Sequence, residues 1–226
     1  MSGKRLLIFD MDGVLVDVKE SYRQSVVEAV KKLSGETITH AEIQLMKNRG
    51  NSNNDWDLTL ELAHGRGSTA SREEVKKVFQ KIYMGENCQG LIARERWLAG
   101  PGLLERLSVW FRFALFTGRE GWEARYTLKK FTGDIRFDPI VSMEDVQREK
   151  PDPEGLHKIL REVAPEEVFY VGDVMDDFSA AKSAGVPFIG VVGNGDATRE
   201  KLGRTFLEGG AVAVIADVNE LERVLG

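Results

Sequence analysis

This chain of 226 residues has a single cysteine, no excess of positive charge and no long apolar run. The single cysteine, Cys88, excludes a disulfide framework or a cluster of thiolate metal ligands within one chain. No segment approaches the roughly 20 consecutive apolar residues that span a bilayer. Acidic residues interrupt the apolar stretch near the N-terminus too early for a signal peptide. We therefore expect a cytoplasmic protein with no membrane partner.

An excess of basic residues is also missing. The chain has 31 lysines and arginines against 36 acidic residues, which gives a net charge of -5 and a pI of about 5.4. A dedicated nucleic-acid binder usually presents a basic face, so we expect no nucleic-acid partner. The length suits one large domain, or a core with a smaller second domain. Both a monomer and a homodimer are compatible with this composition.

What stands out instead is a pair of aspartates near the N-terminus. The apolar run from Leu6 to Phe9 ends in Asp10 and Asp12, which Gly13 follows. Such a run before a turn is typical of a buried strand, and ligands of open α/β sheets lie beyond the carboxyl ends of strands. Two carboxylates this close repel each other unless one is protonated or a cation lies between them. The pair therefore indicates a hard metal and carboxylate chemistry.

The rest of the chain shows two kinds of pattern. From about residue 18 to residue 96 apolar residues recur at helical spacing, and Ser71 with Glu74 makes the capping box that begins one helix. From residue 97 onward, short apolar runs alternate with helical patterns, which indicates a mostly parallel sheet with helices on both faces. We predict an α/β core of residues 1–17 and 97–226, with an inserted all-helical cap domain of residues 18–96.

Some element boundaries in the core can be predicted more closely. Pro101 begins one predicted helix, with Trp110 and Phe111 on its buried face. The last two predicted strands are residues 188–192 and 212–215, with a plain turn at residues 193–196.

Four polar features stand at the ends of predicted strands or in the loops just after them. They are Asp10 with Asp12, Thr117 with Gly118, Lys150, and Gly172-Asp173 followed by Asp176-Asp177. Because the strands of a parallel sheet end at the same edge, we expect these features to form one pocket.

The residue types in this pocket suit phosphoryl transfer. Asp10 is placed to attack phosphorus as a nucleophile, and Asp12 to protonate a leaving alcohol and later to deprotonate a water. Thr117 offers a hydroxyl group, and Lys150 a point charge, to the phosphoryl oxygens. Asp10 and Asp173 supply the oxygen ligands that Mg²⁺ prefers. The aspartates make this pocket strongly anionic. A phosphate dianion can therefore enter only if Mg²⁺ and Lys150 offset the negative charge of the pocket.

In order and placement, the four features resemble the motifs of the haloacid dehalogenase-like (HAD) superfamily of phosphohydrolases. The matching segments are Asp10-Met11-Asp12-Gly13, Phe116-Thr117-Gly118, Lys150-Pro151 and residues 172–177. The helical insertion resembles the cap of the phosphoglycolate phosphatase-like branch of subfamily I. The resemblance covers the whole chain and implies a Rossmann-like core, an aspartyl-phosphate intermediate and Mg²⁺.

The resemblance also implies a set of metal ligands. The residue types alone leave open which of Asp176 and Asp177 holds a metal-bound water and which one caps the following helix. The family pattern Gly-Asp-x-x-x-Asp makes Asp177 the second acid. It also implies that Asp10, the backbone carbonyl of Asp12, and Asp173 hold the metal.

Substrate recognition has two candidate locations. In the polar segment of the cap, Arg49 with one or more of Asn51, Asn53 and Asn54 is a candidate to bind the leaving group of the substrate. The alternative for this segment is a solvated loop with Asn54 or Asp55 as the N-cap of the next helix. Arg119 is a second candidate to bind an anionic group, and its alternative is a solvated arginine in the first turn of a helix.

We therefore predict a Mg²⁺-dependent phosphatase that hydrolyses a small phosphorylated metabolite. A phosphomutase would use the same core but return the phosphoryl group to a sugar. A dehalogenase would need neither Asp12 nor a metal. A phospho-receiver module uses similar residues, but its nucleophile follows a later strand and it has no large helical insertion. A non-catalytic binding protein is the remaining alternative.

Overall fold

A computed structural model of the chain describes residues 5–49, 54–193 and 197–226. The chain divides into two compact units, one of residues 1–16 and 97–226 and the other of Asp17–Arg96. The first unit contains a six-stranded sheet, and the second is built from helices.

The strands are short, and most of their residues are apolar. In chain order they are β1 (Arg5–Phe9), β2 (Val16–Asp17), β3 (Arg96–Trp97), β4 (Arg112–Phe116), β5 (Phe137–Val141), β6 (Glu167–Gly172), β7 (Phe188–Val191) and β8 (Ala213–Ile215). The large sheet has the order β5-β4-β1-β6-β7-β8, and its neighbouring strands pair in parallel. β2 and β3 form a separate two-stranded sheet. The predicted α/β fold with a mostly parallel sheet is therefore confirmed.

Strand β1 lies in the middle of the sheet, and its position determines where a ligand can bind. Its residues Leu6 to Phe9 have no exposed surface, as is typical of a parallel strand covered on both faces. From β1 the chain builds β4 and β5 on one side and then β6, β7 and β8 on the other. This reversal of direction opens a crevice beyond the carboxyl end of β1.

Ten α-helices accompany the strands in the described residues. They are α1 (Tyr22–Ser34), α2 (His40–Lys47), α3 (Asp55–His64), α4 (Arg72–Met84), α5 (Leu103–Ser108), α6 (Gly121–Phe131), α7 (Glu154–Val163), α8 (Met175–Ala184), α9 (Ala197–Glu208) and α10 (Leu221–Leu225). The predicted capping box of α4 is confirmed, because Ser71 and Glu74 each accept a hydrogen bond from the other's backbone amide. None of the described helices has the length and apolar character needed to cross a bilayer.

Two predictions about the core elements need correction. Helix α5 ends at Ser108, and the Trp110 side chain is 62% exposed instead of packed on the core. The chain turns after this helix to enter β4 at Arg112, which leaves Trp110 in the turn. Helix α9, between β7 and β8, was not predicted. The turn predicted before it lies mostly outside the described residues.

Candidate active site

Three strand ends carry predicted motif residues at one edge of the sheet. Asp10 comes directly after β1, Thr117 directly after β4, and Asp173 directly after β6. These strands are neighbours, with β1 in the middle. The backbone pairing continues into the site, because the Asp10 amide donates to the Val171 carbonyl at 2.8 Å. The sheet itself therefore brings these residues together.

Lys150 reaches the same edge from the loop between β5 and α7. The Glu154 carboxylate, in the first turn of α7, accepts hydrogen bonds from the backbone amides of Gln147 and Arg148, each at 3.1 Å. These bonds tie the loop to the start of the helix. The loop then carries the Lys150 side chain into the interior, where it is buried.

The Lys150 ammonium group lies at the centre of a buried polar cluster. Its Nζ atom is 2.6 Å from Asp10 Oδ1 and 2.8 Å from Asp177 Oδ1. It also donates to the Phe116 carbonyl and the Tyr170 hydroxyl, both at 3.3 Å. Burial disfavours the charged form of Lys150, but Asp10 and Asp177 outweigh burial and raise the pKa of the ammonium group. Lys150 is therefore a permanent positive charge beside the predicted nucleophile.

Asp177 belongs to this cluster. Its Oδ1 accepts from Lys150 and from the Tyr170 hydroxyl, the latter at 2.6 Å. Its Oδ2 accepts from the backbone amides of Asp173 and Val174, at 3.1 and 3.3 Å. One carboxylate thus caps helix α8 and holds Lys150 in place. Four donors on two oxygens indicate a positioning role for Asp177.

Tyr170 was not predicted as part of the site. It lies in β6 and is fully buried, with its hydroxyl against Asp177 and Lys150. Burial, followed by the charge of Asp177, raises the pKa of Tyr170 well above its usual value, so the hydroxyl remains a proton donor. The available signal was a tyrosine within the apolar run of residues 168–171, three residues before Asp173.

Removing the Tyr170 hydroxyl should weaken both the fold and the site. We expect Tyr170→Phe to lower the free energy of unfolding by about 1 to 3 kcal/mol, because a hydrogen bond to a buried carboxylate is lost. Turnover should fall on the order of 10-fold, because Asp177, which holds Lys150 in place, then lacks the hydrogen bond from Tyr170. Denaturant unfolding and steady-state kinetics measure the two effects.

The helical unit provides a matched control for this variant. Tyr83 is also fully buried, and its hydroxyl donates to the buried Glu95 carboxylate at 2.9 Å. Tyr83→Phe should cost similar stability but leave turnover unchanged. Equal loss of turnover in both variants would show that the effect of Tyr170 on activity is only a loss of stability.

The acidic residues at this edge form an arrangement that fits a divalent cation. Carboxylate oxygens of Asp10, Asp173 and Asp177 lie within 4.8 Å of one another. Two of these carboxylates, Asp10 and Asp177, share the Lys150 ammonium group, and a divalent cation would offset negative charge that remains among the three. Such oxygen ligands suit Mg²⁺. Because four donors already occupy the two oxygens of Asp177, this carboxylate is less suited to bind a cation directly.

Gly13 explains why a glycine follows the aspartate pair. Its backbone φ angle is +82°, which side-chain-bearing residues rarely adopt. A Cβ atom at this position would lie 2.1 Å from Oδ2 of Asp173. The loop after Asp12 can therefore approach the Asp173 carboxylate only because this residue has no side chain.

The electrostatics at Asp10 also favour a cation. Burial is the largest influence and raises the pKa of the Asp10 carboxyl well above its usual value, although Lys150 lowers it. The neighbouring carboxylates, first Asp177 and then Asp173 and Asp12, raise it further. A divalent cation among these oxygens would favour the ionised form, which is the form that acts as a nucleophile.

The Arg119 side chain is buried beside Asp12. Its side chain is 1% exposed, and its Nη2 and Nε atoms lie 2.6 and 2.8 Å from Asp12 Oδ1. Its Nη1 donates to Thr127 Oγ1 at 3.0 Å. The alternative of a solvated arginine is therefore wrong, because the guanidinium group is directed inward onto Asp12. Binding of a substrate anion by Arg119 remains a prediction.

Thr117 and Gly118 form the turn that leads from β4 to Arg119. The Thr117 amide donates to the Val141 carbonyl at 3.0 Å, and its Oγ1 accepts from the Arg119 amide at 3.2 Å. Thr117 is buried and Gly118 is partly exposed. A role of these two residues in phosphate binding remains a prediction.

The cap residues are placed only in part. Arg49 is exposed and lies two residues after the end of α2, in the helical unit. Asn51 and Asn53 lie outside the described residues. Asn54 is the N-cap of α3, and its side chain accepts from the amide of Trp56 at 3.0 Å. The proposed N-cap is confirmed, and substrate recognition by Arg49 and Asn53 remains a prediction.

The fold and this edge of acidic residues define a hydrolase of the HAD-like class, and comparison with known proteins agrees. The family model described as haloacid dehalogenase-like hydrolase matches residues 7–191. The chain belongs to this family.

Curated relatives show the enzyme class. The phosphorylated carbohydrates phosphatase of Thermotoga maritima is 31% identical over 97% of this chain and 99% of its own length. A phosphoglycolate phosphatase of Cereibacter sphaeroides is 28% identical over 80% of this chain and 82% of its own length. The chain is therefore an enzyme of the phosphoglycolate phosphatase-like branch, among the phosphoric monoester hydrolases.

A third relative is much longer than this chain. The imidazoleglycerol-phosphate dehydratase of Phytophthora nicotianae is 33% identical over 82% of this chain. The matched region is only 43% of the length of that protein.

Among solved structures, a protein of Thermotoga maritima assigned as a β-phosphoglucomutase has a TM-score of 0.67 and 27% identity, over 98% of both chains.

Proposed function

We propose that this enzyme hydrolyses a small phosphomonoester through a phosphorylated Asp10, with Mg²⁺ as its cofactor. The observation that carries the proposal is the contact of Asp10 with Lys150, at 2.6 Å, in a cluster that also contains Asp173 and Asp177. A carboxylate beside a fixed positive charge at a strand end is suited to attack phosphorus.

The proposed first step transfers the phosphoryl group to the protein. A carboxylate oxygen of Asp10 forms a bond to phosphorus, and the bond from phosphorus to the leaving oxygen breaks. The electron pair stays on the leaving oxygen, which takes a proton from Asp12 and departs as an alcohol. Lys150 stabilises the negative charge of the phosphoryl oxygens during this step.

The second step restores the enzyme. Asp12, now a carboxylate, takes a proton from a water whose oxygen attacks phosphorus. The bond between phosphorus and Asp10 breaks, and inorganic phosphate leaves. When bound, Mg²⁺ would supply positive charge to the phosphoryl oxygens. Asp10, Asp173 and the backbone carbonyl of Asp12 would hold it.

A phosphomutase is the second candidate, because the assigned β-phosphoglucomutase of Thermotoga maritima shares 27% of its residues with this chain. The two activities differ in the acceptor of the second step, which is water in one and a sugar phosphate in the other. Release of inorganic phosphate without an added bisphosphate would support the phosphatase. A strict requirement for a sugar bisphosphate would support the mutase.

A phosphate-release screen tests the function and narrows the substrate. We expect Mg²⁺-dependent release from at least one of phosphoglycolate, sugar phosphates and imidazoleglycerol phosphate, which the relatives' names suggest, or from nucleotides and phosphorylated amino acids. Chelation of the metal should abolish release, and added Mg²⁺ should restore it. No release from any of these compounds, or release that survives chelation, would contradict the proposal.

The same screen can test Arg49, which we propose contacts the leaving group. Arg49→Ala should raise KM for the preferred substrate far more than for p-nitrophenyl phosphate, a generic ester whose leaving group differs from that of the preferred substrate. An equal change for both compounds would exclude this role.

A further inference from the structure

Arg119 is a buried cation that the proposed mechanism does not use. Its guanidinium group has almost no exposed surface, and it contacts Asp12, the proposed proton donor, through two nitrogen atoms. Burying a guanidinium group is costly unless its charge is paired. The position of Arg119 beside Asp12 therefore requires an explanation.

The contact to Asp12 is one-sided. Both Nε and Nη2 of Arg119 lie on the same carboxylate oxygen, Oδ1, at 2.8 and 2.6 Å. Within the described part of the chain, Asp12 Oδ2 accepts no hydrogen bond, and the Asp12 side chain is 25% exposed. One oxygen of this carboxylate is thus held by the protein, while the other is open.

Arg119 is itself fixed from several sides. Its Nη1 donates to the hydroxyl of Thr127, a fully buried residue of α6, at 3.0 Å. Its backbone amide donates to Thr117 Oγ1 at 3.2 Å, and its carbonyl accepts from the Met143 amide at 3.2 Å. A guanidinium group held at the backbone and at its tip can orient a carboxylate with little loss of entropy.

We propose that Arg119 is a positioning residue, which holds Asp12 by Oδ1 so that Oδ2 faces the leaving oxygen of the substrate. This inference rests on the proposed function, because it assigns Arg119 to the proton transfer. General-acid catalysis depends on the donor standing within hydrogen-bond reach of the leaving oxygen. Without Arg119, Asp12 would rotate among several orientations, and proton transfer would become slower.

The proposal predicts that the effect of Arg119 depends on the leaving group. Arg119→Met, which keeps most of the side-chain volume, should lower kcat/KM for an alkyl phosphate on the order of 100-fold. It should change kcat/KM little for 2,4-dinitrophenyl phosphate, whose leaving group departs without a proton. Because kcat/KM covers only the steps through the first irreversible one, the later hydrolysis of the phosphoenzyme does not obscure the comparison.

Two further variants keep the test valid if Arg119→Met does not fold. Arg119→Lys keeps a charge near Asp12 and should recover part of the loss with the alkyl phosphate. Thr127→Val removes the hydrogen-bond acceptor of Arg119 Nη1 at nearly constant volume and should give a smaller loss with the same dependence on the leaving group.

A double variant tests the link to Asp12 directly. In an Asp12→Asn background, Arg119→Met should cause no further selective loss, because the carboxylate that Arg119 positions is gone.

The outcomes separate this inference from the proposed function. Equal losses with both phosphates would indicate a structural role, and a rise in KM for all phosphates would indicate direct substrate binding; either result overturns the proposal. A wild-type enzyme that hydrolyses neither phosphate in the presence of Mg²⁺ would refute the proposed function, and this inference with it.

Discussion

Asp10→Asn should lower phosphatase turnover on the order of 10⁴-fold or more while leaving the fold intact. The amide has almost the shape of the carboxylate but lacks its nucleophilic oxygen, so the phosphoenzyme cannot form. The fold should tolerate the change, because burial and the neighbouring carboxylates already disfavour a charge at this position. Lys150 keeps Asp177 as an ionic partner at 2.8 Å.

Two measurements test this expectation together. Mass spectrometry of acid-quenched wild-type enzyme should find phosphate on the peptide that contains Asp10, and the variant should show none. Thermal unfolding should place the two proteins close together. Mg²⁺-dependent turnover that survives the substitution would refute the assignment of Asp10 as the nucleophile.

Asp12→Asn is the matched comparison for this variant, since it also replaces one carboxylate of the same loop. It should retain phosphoenzyme formation with 2,4-dinitrophenyl phosphate, whose leaving group needs no proton, and lose hydrolysis of alkyl phosphates. Loss of both reactions in both variants would mean that the two carboxylates cannot be assigned separate roles.

The positions of the main motif residues could be predicted from the sequence for a simple physical reason. Asp10, Thr117 and Asp173 each directly follow an apolar run, and the runs form parallel strands that end at one edge of the sheet. The alternation of strands and helices is enough to predict this edge. No tertiary contact has to be known in advance.

The partners of these residues could not be predicted in the same way. Tyr170 lies inside an apolar run, where the pattern indicates packing, and Arg119 lies in a polar turn, where the pattern indicates solvent. Arg119 contacts Asp12, which is 107 positions away in the sequence. Contacts of this kind depend on how loops meet above the sheet, and hydrophobic periodicity carries no information about them.

The choice between Asp176 and Asp177 illustrates the same limit. Both are buried, and both lie in the first turn of α8. Adjacent residues of a helix point about 100° apart, so the two side chains face different neighbours. The structure shows that Asp177 faces Lys150. The sequence alone cannot distinguish the two residues, because they are adjacent and of the same type.

Lys150→Met should be the most destabilising substitution at the site, and it should also abolish most of the activity. Lys150 is the ionic partner of two buried carboxylates, Asp10 and Asp177. Methionine fills a similar volume but leaves these charges without a partner, which costs about 3 to 5 kcal/mol of unfolding free energy. Turnover should fall on the order of 10² to 10³-fold, because a preorganised charge is lost from the phosphoryl site.

Lys158→Met is the matched surface control. Lys158 pairs with Glu154 at 3.1 Å, and its side chain is 37% exposed. Its replacement should change the unfolding free energy by less than about 1 kcal/mol, as is usual for exposed ion pairs. Comparable losses in the two variants, measured by denaturant unfolding, would contradict the central role of Lys150.

The pH dependence of stability gives an independent check on Lys150. In the folded protein, burial raises the pKa of Asp10, whereas the charge of Lys150 lowers the same pKa. Removal of Lys150 should therefore raise the pKa of Asp10 further. A carboxyl with a raised folded-state pKa costs nothing at low pH, where it is protonated in both states, and becomes costly as pH rises through that pKa. The stability deficit of Lys150→Met should therefore be small in acid and grow toward neutral pH. Mg²⁺ should reduce the deficit at neutral pH more than Na⁺ at equal ionic strength, since a divalent cation among these carboxylates replaces part of the lost charge.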